Sequence, residues 1–116
     1  MCKSKIHKPV ITQTNLKYKG SITIDAKLIE AADILPGEIV LVVNVNTGAR
    51  FETYVIKGKP NSGIIGLNGG AARLGEVGDE LIVISKGFFS DTEIKNLKPK
   101  FILVNSKNKI VRKGSL

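Results

Sequence analysis

Short apolar runs rich in Val and Ile, each bounded by Gly, Pro or Asn, recur along the first 85 residues. They predict strands at Lys3–Lys8, Val10–Gln13, Ser21–Asp25, Glu38–Asn44, Ala49–Lys57, Gly63–Leu67 and Glu80–Ser85. Helical spacing occurs at Ala26–Asp33, where Leu28, Ala31, Ala32 and Leu35 form a stripe that Pro36-Gly37 stops. Asn68–Leu74 predicts a second, shorter helical turn. Two segments echo each other: "PGEIVLV" (Pro36–Val42) and "VGDELIV" (Val77–Val83) each place a glycine and an acid before a strand. Either two strands merely begin with similar turns, or a small barrel is internally duplicated. Short strands at regular spacing favour a closed barrel over an open sheet.

Beyond Ser85 the pattern changes. "SDTE" (Ser90–Glu93) has capping-box spacing and predicts a short helix that Pro99 terminates. "KFILVN" and "KIVRK" flank Ser106–Asn108 and read as a hairpin. The expected organisation is a barrel over residues 1–88 with a helix-plus-hairpin extension over residues 89–116.

Composition narrows the class. A chain of 116 residues fits one domain, and a 42% hydrophobic content supports a modest core. The longest apolar run, Ile39–Val43, is too short to span a membrane, and the N-terminus has no apolar signal-peptide core. Cys2 is the only cysteine, so one chain offers neither a disulfide nor a cysteine-based metal site; a reducing cytoplasm is expected.

The net charge of +8 suggests nucleic acid until it is mapped. Residues 95–116 hold seven bases and no acid, while the rest of the chain holds 11 bases against 10 acids. The body is therefore nearly neutral and the basicity lies in a C-terminal tail, which reads first as a solvated end. Without Trp and with 5% aromatic residues, few platforms exist for stacking bases. No nucleic-acid or membrane partner is expected.

The usual catalytic patterns are missing. His7 is the only histidine and reads as structural; no carboxylate pair stands out, and there is no Walker loop, dinucleotide fingerprint or zinc spacing. Three segments nevertheless carry unusual chemistry. "YKGSITID" (Tyr18–Asp25) places a Gly-Ser junction at the start of a strand. "NTGARFETYVIKG" (Asn46–Gly58) gathers Arg50, Thr53 and Tyr54 on one strand. Alternation puts Arg50, Glu52 and Tyr54 on one face and Phe51, Thr53 and Val55 on the other. For Arg50, Thr53 and Tyr54 to meet one pocket, either a bulge must intervene or two subunits must contribute. "GLNGGAARLGEVGDE" (Gly66–Glu80) exposes backbone N–H groups at Asn68-Gly69-Gly70-Ala71, a grouping suited to carboxylates or phosphates.

Together these segments resemble the pyruvoyl-dependent aspartate 1-decarboxylase family. The matching pieces are "SKIH" (Ser4–His7), "YKGSITID", "ADILPGE" (Ala32–Glu38), "NTGARFETYVI" (Asn46–Ile56) and "LNGGAARL" (Leu67–Leu74); they run in family order within Lys3 to Ser85, so the resemblance spans about three quarters of the chain. The resemblance implies a double-psi β-barrel, assembled as a homotetramer with sites between neighbouring subunits. It also implies self-cleavage between Gly20 and Ser21: the Ser21 hydroxyl attacks the Gly20 carbonyl, and the ester formed eliminates to leave a covalent pyruvoyl group, with no pyridoxal phosphate and no metal. L-Aspartate would form a Schiff base there and lose CO2, giving β-alanine for pantothenate.

By the same resemblance, Thr53 stabilises the cleavage oxyanion and Tyr54 donates the proton. Arg50 and Lys5 meet the substrate carboxylates, in an order left open. Gly69, Gly70 and Ala71 complete the anion site, and Asn68 orients the pyruvoyl carbonyl. Gly70 departs from the family, which usually has one glycine followed by alanines, and is expected to loosen the loop. The competing readings are a non-enzymatic β-barrel that binds through its basic tail and an uncut family member serving only in assembly. Whether cleavage needs a partner protein stays open.

Overall fold

The computed structural model describes residues 1–116 as a mainly β chain with short helices. Its elements are β1 (Cys2–Val10), β2 (Gln13–Asn15), β3 (Ser21–Asp25), α1 (Ala26–Ala31), β4 (Ile39–Asn44), β5 (Arg50–Gly58), β6 (Ile65–Asn68), a 3-10 helix (Gly69–Leu74), β7 (Glu80–Lys86), α2 (Asp91–Ile94), β8 (Lys100–Val104) and β9 (Ile110–Ser115). β1 covers the strand predicted at Lys3–Lys8 and runs on to Val10, whereas the strand predicted at Val10–Gln13 does not form: Ile11 and Thr12 lie between β1 and β2. Lys8 takes a left-handed φ of 68° and the register shifts between His7 and Val10, so the chain bulges there without leaving the sheet. No helix is long and apolar enough to cross a membrane.

The strand order is β2-β6-β3-β5-β4-β7-β1-β8-β9, and the hydrogen-bonded ladder does not close on itself. The chain brings its edges together instead. Between β1 and β2, Ile11 N donates to Asp79 O at 2.9 Å and Thr12 N donates to Ile65 O at 2.8 Å. One continuous segment thus touches the β7 side and the β6 side. Ile6, Ile22, Ile24, Val40, Val42 and Leu67 are fully buried in the core that results. The architecture is that of a small β-barrel, as expected.

The sequence echo is a structural repeat. Val42 and Val83, equivalent in the two segments, face each other in the β4–β7 ladder, with Leu41 opposite Ile84 and Val43 opposite Ile82. A local two-fold therefore relates β4 to β7. The turns before them obey it: Gly37 and Gly78 have φ of 87° and 97°. Gly37 N donates to Val55 O at 2.7 Å and Val55 N returns to Glu38 O at 3.0 Å. In the other half, Gly78 N donates to Ile11 O at 2.9 Å and Ile11 N returns to Asp79 O at 2.9 Å.

α1 ends at Ala31, earlier than predicted, because Asp33 turns left-handed with φ of 56°. Its cap, Asp25, is buried and accepts three backbone N–H bonds, from Lys27 at 2.9 Å, Asn61 at 3.0 Å and Gly63 at 2.9 Å. The Ser90–Glu93 capping box forms as predicted. The Glu93 carboxyl is held below its usual range by the Ser90 backbone N–H and then by the Ser90 hydroxyl. α2 itself stops at Ile94, well before Pro99.

The C-terminal hairpin is more firmly built in than an appendage. β8 runs parallel to β1, which is held between β7 and β8, and β9 forms the outer edge. Arg112 lies 5.5 Å over the Phe101 ring, and Phe101 packs against His7 at 5.3 Å. In the hairpin turn, Asn108 is almost wholly buried. Its Oδ1 accepts from Val10 N at 2.7 Å, and its Nδ2 donates to Val10 O at 2.8 Å and to Gly63 O at 2.7 Å. Asn108→Ala removes all three bonds and strands three backbone groups, so it is expected to lower unfolding free energy by about 3 kcal/mol in denaturant titration. A loss under about 1 kcal/mol would mean that water replaces the amide there.

Candidate active site

Ser21 opens β3 and Asn68 closes β6, and the antiparallel ladder sets them opposite each other. The Ser21 hydroxyl is fully buried. It donates to Lys19 O at 2.9 Å and accepts from Asn68 Nδ2 at 3.0 Å. The same amide donates to Thr23 Oγ1 at 3.0 Å, so Asn68 sits between two hydroxyls of one strand face. Thr23 was not singled out from the sequence, although alternation in "SITID" places it on the face of Ser21.

β5 lies on the other side of β3. The parallel register begins at Ile22 opposite Val55; carried back along both strands, it aligns Ser21 with Tyr54 and Gly20 with Thr53. Ser21, Asn68, Thr53 and Tyr54 thus belong to neighbouring strands at one end of the sheet.

The two glycines at this junction are not alike. Gly20 is exposed, its φ is outside the left-handed region, and a Cβ added there would meet nothing within 4 Å. The position therefore demands no special backbone geometry, and glycine there leaves open space beside its carbonyl. The constrained glycine is Gly69, which starts the 3-10 helix with φ of 61°. A Cβ there would lie 2.6 Å from Gly20 N, 2.7 Å from Gly20 Cα and 2.7 Å from Tyr18 O. The backbone of the 3-10 helix is pressed onto the Gly-Ser junction, and only glycine permits it. Gly70 has open space around its missing side chain, while Ala71 is buried.

Along β5 the predicted alternation holds: Arg50, Glu52 and Tyr54 are exposed, Phe51 and Thr53 are half-buried, and Val55 is buried. The β4–β5 register runs unbroken from Ile39 opposite Tyr54 to Val43 opposite Arg50. No bulge turns Thr53 onto the face of Arg50 and Tyr54. Arg50 lies four residues from Tyr54, about 13 Å along an extended strand. Lys5 lies on β1, separated from β5 by β7 and β4 in the sheet order. None of the five principal cavities is lined by Ser21, Arg50, Thr53 or Tyr54.

His7 shares a face of β1 with Lys5. Burial, and then the charges of Lys5 and Lys8, push its imidazole below the usual histidine range against a smaller opposing pull from Glu80. His7 is therefore neutral at pH 7, packed on Phe101, and its Nδ1 is buried without a protein partner. Chemically, the centre offers one shielded, oriented hydroxyl beside the peptide carbonyl that precedes it.

Comparison with known proteins extends the likeness beyond these motifs. The family model described as aspartate decarboxylase matches residues 1–111. Among similar proteins is the aspartate 1-decarboxylase of Thermoanaerobacter pseudethanolicus, 57% identical over 111 residues, covering 96% of this chain and 95% of that one. The aspartate 1-decarboxylase of Kosmotoga olearia is 54% identical over 113 residues, covering 97% and 96%. That of Pelotomaculum thermopropionicum is 57% identical over 111 residues, covering 96% and 84%. The likeness continues into the C-terminal hairpin, past the Ser85 limit of the quoted motifs.

Proposed function

The chain belongs to the aspartate decarboxylase family, and from that premise we propose that it activates itself by cutting between Gly20 and Ser21. It is a carboxy-lyase that converts L-aspartate to β-alanine and CO2. The observation that carries the cleavage reading is the buried Ser21 hydroxyl, fixed by Lys19 O and the Asn68 amide at the Gly-Ser junction.

Ser21 Oγ attacks the Gly20 carbonyl carbon, the C–N bond breaks, and the hydroxyl proton ends on the freed nitrogen, leaving an ester. Thr53, aligned with Gly20, donates to the oxyanion during this step. Loss of the Ser21 α-proton then breaks the Cβ–O bond, so Gly20 departs as a carboxylate and Ser21 becomes dehydroalanine. Water enters and ammonia leaves, giving a pyruvoyl group in place of Ser21. The surroundings fit that group: its precursor residue is shielded from solvent, and Asn68, opposite Ser21 in the ladder, keeps an amide donor beside that residue. Once formed, the ketone supplies an electron sink for the pair released when the α-carboxylate leaves, with no pyridoxal phosphate or metal.

The remaining residues bind and protonate. Arg50 grips one aspartate carboxylate through its planar fork and Lys5 meets the other as a point charge. The Gly69, Gly70 and Ala71 N–H groups complete the anion site, and Asn68 orients the carbonyl. Tyr54 delivers the proton to the carbon that lost its carboxylate. Because the unbulged β5 keeps Thr53 off the face of Arg50 and Tyr54, a second copy completes each site within a homotetramer. Ile39 and Tyr54, ladder partners that remain 62% and 37% exposed, belong to the surface such a copy covers. The enzyme works in the cytoplasm, and its β-alanine serves pantothenate synthesis.

Denaturing mass spectrometry of the purified protein tests this reading. The expected masses are those of residues 1–20 and of residues 21–116 with a pyruvoyl start, alongside CO2 release from L-aspartate. A single full-length mass in a preparation that decarboxylates aspartate would overturn it.

A further inference from the structure

The two turns related by the local two-fold are each clamped by a carboxylate. Glu38 Oε1 accepts from Leu35 N at 3.3 Å, and its counterpart Asp79 Oδ2 accepts from Glu76 N at 3.0 Å. Each carboxylate also takes one donor from a fully buried side chain. Ser85 Oγ reaches Glu38 Oε2 at 2.5 Å, and Asn44 Nδ2 reaches Asp79 Oδ2 at 2.9 Å. Ser85 and Asn44 are themselves equivalent positions of the repeat, so the clamps match group for group. The Asp79 carboxyl is held below its usual range by Asn44 first and the Glu76 N–H second.

The halves differ in one partner. Lys3 Nζ lies 3.3 Å from Glu38 Oε1 and also bonds the Asp33 carbonyl, whereas Asp79 forms no salt bridge. The Lys3 and Glu38 side chains keep only 25% and 19% of their exposure, so water screens this pair less than a surface one. What the clamps hold differs as well. Gly78 and Asp79 grip Ile11, in the link between β1 and β2, which bears no candidate catalytic group. Gly37 and Glu38 grip Val55, the residue directly after Thr53 and Tyr54. Lys3 also lies two residues from Lys5 on β1. The added cation therefore ties the strand bearing Lys5 to the turn that fixes the strand bearing Tyr54.

We infer that Lys3, Glu38 and Ser85 form a strut that positions Tyr54 for proton delivery. The inference rests on the role proposed above for Tyr54. Lys3 and Glu38 are positioning residues: neither bonds Ser21 or Asn68, and both act through the Val55 backbone. A displacement of about 1 Å at a reacting group costs roughly 100-fold in rate, which sets the size of effect that such a strut can control.

Four variants of the self-cleaved enzyme test it: Glu38→Gln, Lys3→Met, Lys3→Arg, and Asp79→Asn as the matched clamp of the other half. Glu38→Gln and Lys3→Met are expected to be cut normally, to keep KM within about twofold, and to lose roughly 10- to 100-fold in kcat. Lys3→Arg restores kcat, and Asp79→Asn lowers the melting temperature while keeping kcat. The decisive reading is a double-mutant cycle: in a Tyr54→Phe background, Lys3→Met should cost no further activity. Equal kcat losses in Lys3→Met and Asp79→Asn, or additive losses with Tyr54→Phe, would overturn the strut. If Glu38→Gln fails to fold, Lys3→Met decides alone, because it leaves both turn bonds to Glu38 in place. Full activity in Tyr54→Phe removes the premise, whereas a crippled Tyr54→Phe beside a normal Lys3→Met removes only the strut.

Discussion

Ser21→Ala is expected to yield a folded, uncut chain of 116 residues with no measurable decarboxylation of aspartate. The substitution removes the one oxygen able to attack the Gly20 carbonyl, and without the ester no elimination to dehydroalanine, the precursor of the ketone, can follow. The fold should tolerate the loss. Asn68 Nδ2 keeps Thr23 Oγ1 as its acceptor at 3.0 Å, so no buried amide is orphaned, and Lys19 O lies at an exposed turn. The cost of the lost hydrogen bond is about 1 kcal/mol, small beside ordinary domain stability. A thermal melt and an intact mass on one sample separate the outcomes. A melt close to the parent with an unchanged full-length mass and no β-alanine is the expected result; cut chain, or β-alanine from uncut chain, would remove the mechanism.

Tyr54→Phe should divide what Ser21→Ala abolishes together. The phenol is exposed on β5 and makes no hydrogen bond within the chain, so its removal should leave stability and self-cleavage near those of the parent. The ring keeps its place opposite Ile39. Decarboxylation loses its proton donor, and removal of a positioned general acid costs about 100- to 10,000-fold. The expected sample is therefore fully cut yet nearly inactive, with KM for aspartate little changed. A variant both fully cut and fully active would pass the proton role to another group or to water.

Much of this was legible in the residues, for reasons that differ by element. The alternation on β5 was readable because a strand has period two and this one is half-buried, and the capping box because its donors and acceptors lie within one turn. The duplication was readable as a pair of Gly-acid-strand segments, but only the ladder shows Val42 facing Val83. What escaped depends on distance along the chain. Asn108 looks like any turn asparagine, since its partner Val10 lies 98 positions away, and Lys3 looks solvated because Glu38 is 35 positions away. The glycines escaped for another reason. The motif names both Gly20 and Gly69, but only the packed backbone reveals which of them cannot carry a methyl group.

The placement of β1 between β7 and β8 has a consequence for the matured molecule. If the chain is cut between Gly20 and Ser21 as proposed, the strand bearing Lys5 belongs to a separate 20-residue peptide, gripped along both edges by the longer chain and pinned at Val10 by Asn108. Unfolding then sets two molecules free, and regaining the native state becomes a second-order encounter that dilution disfavours. The uncut precursor keeps both pieces on one chain; the cut enzyme would not.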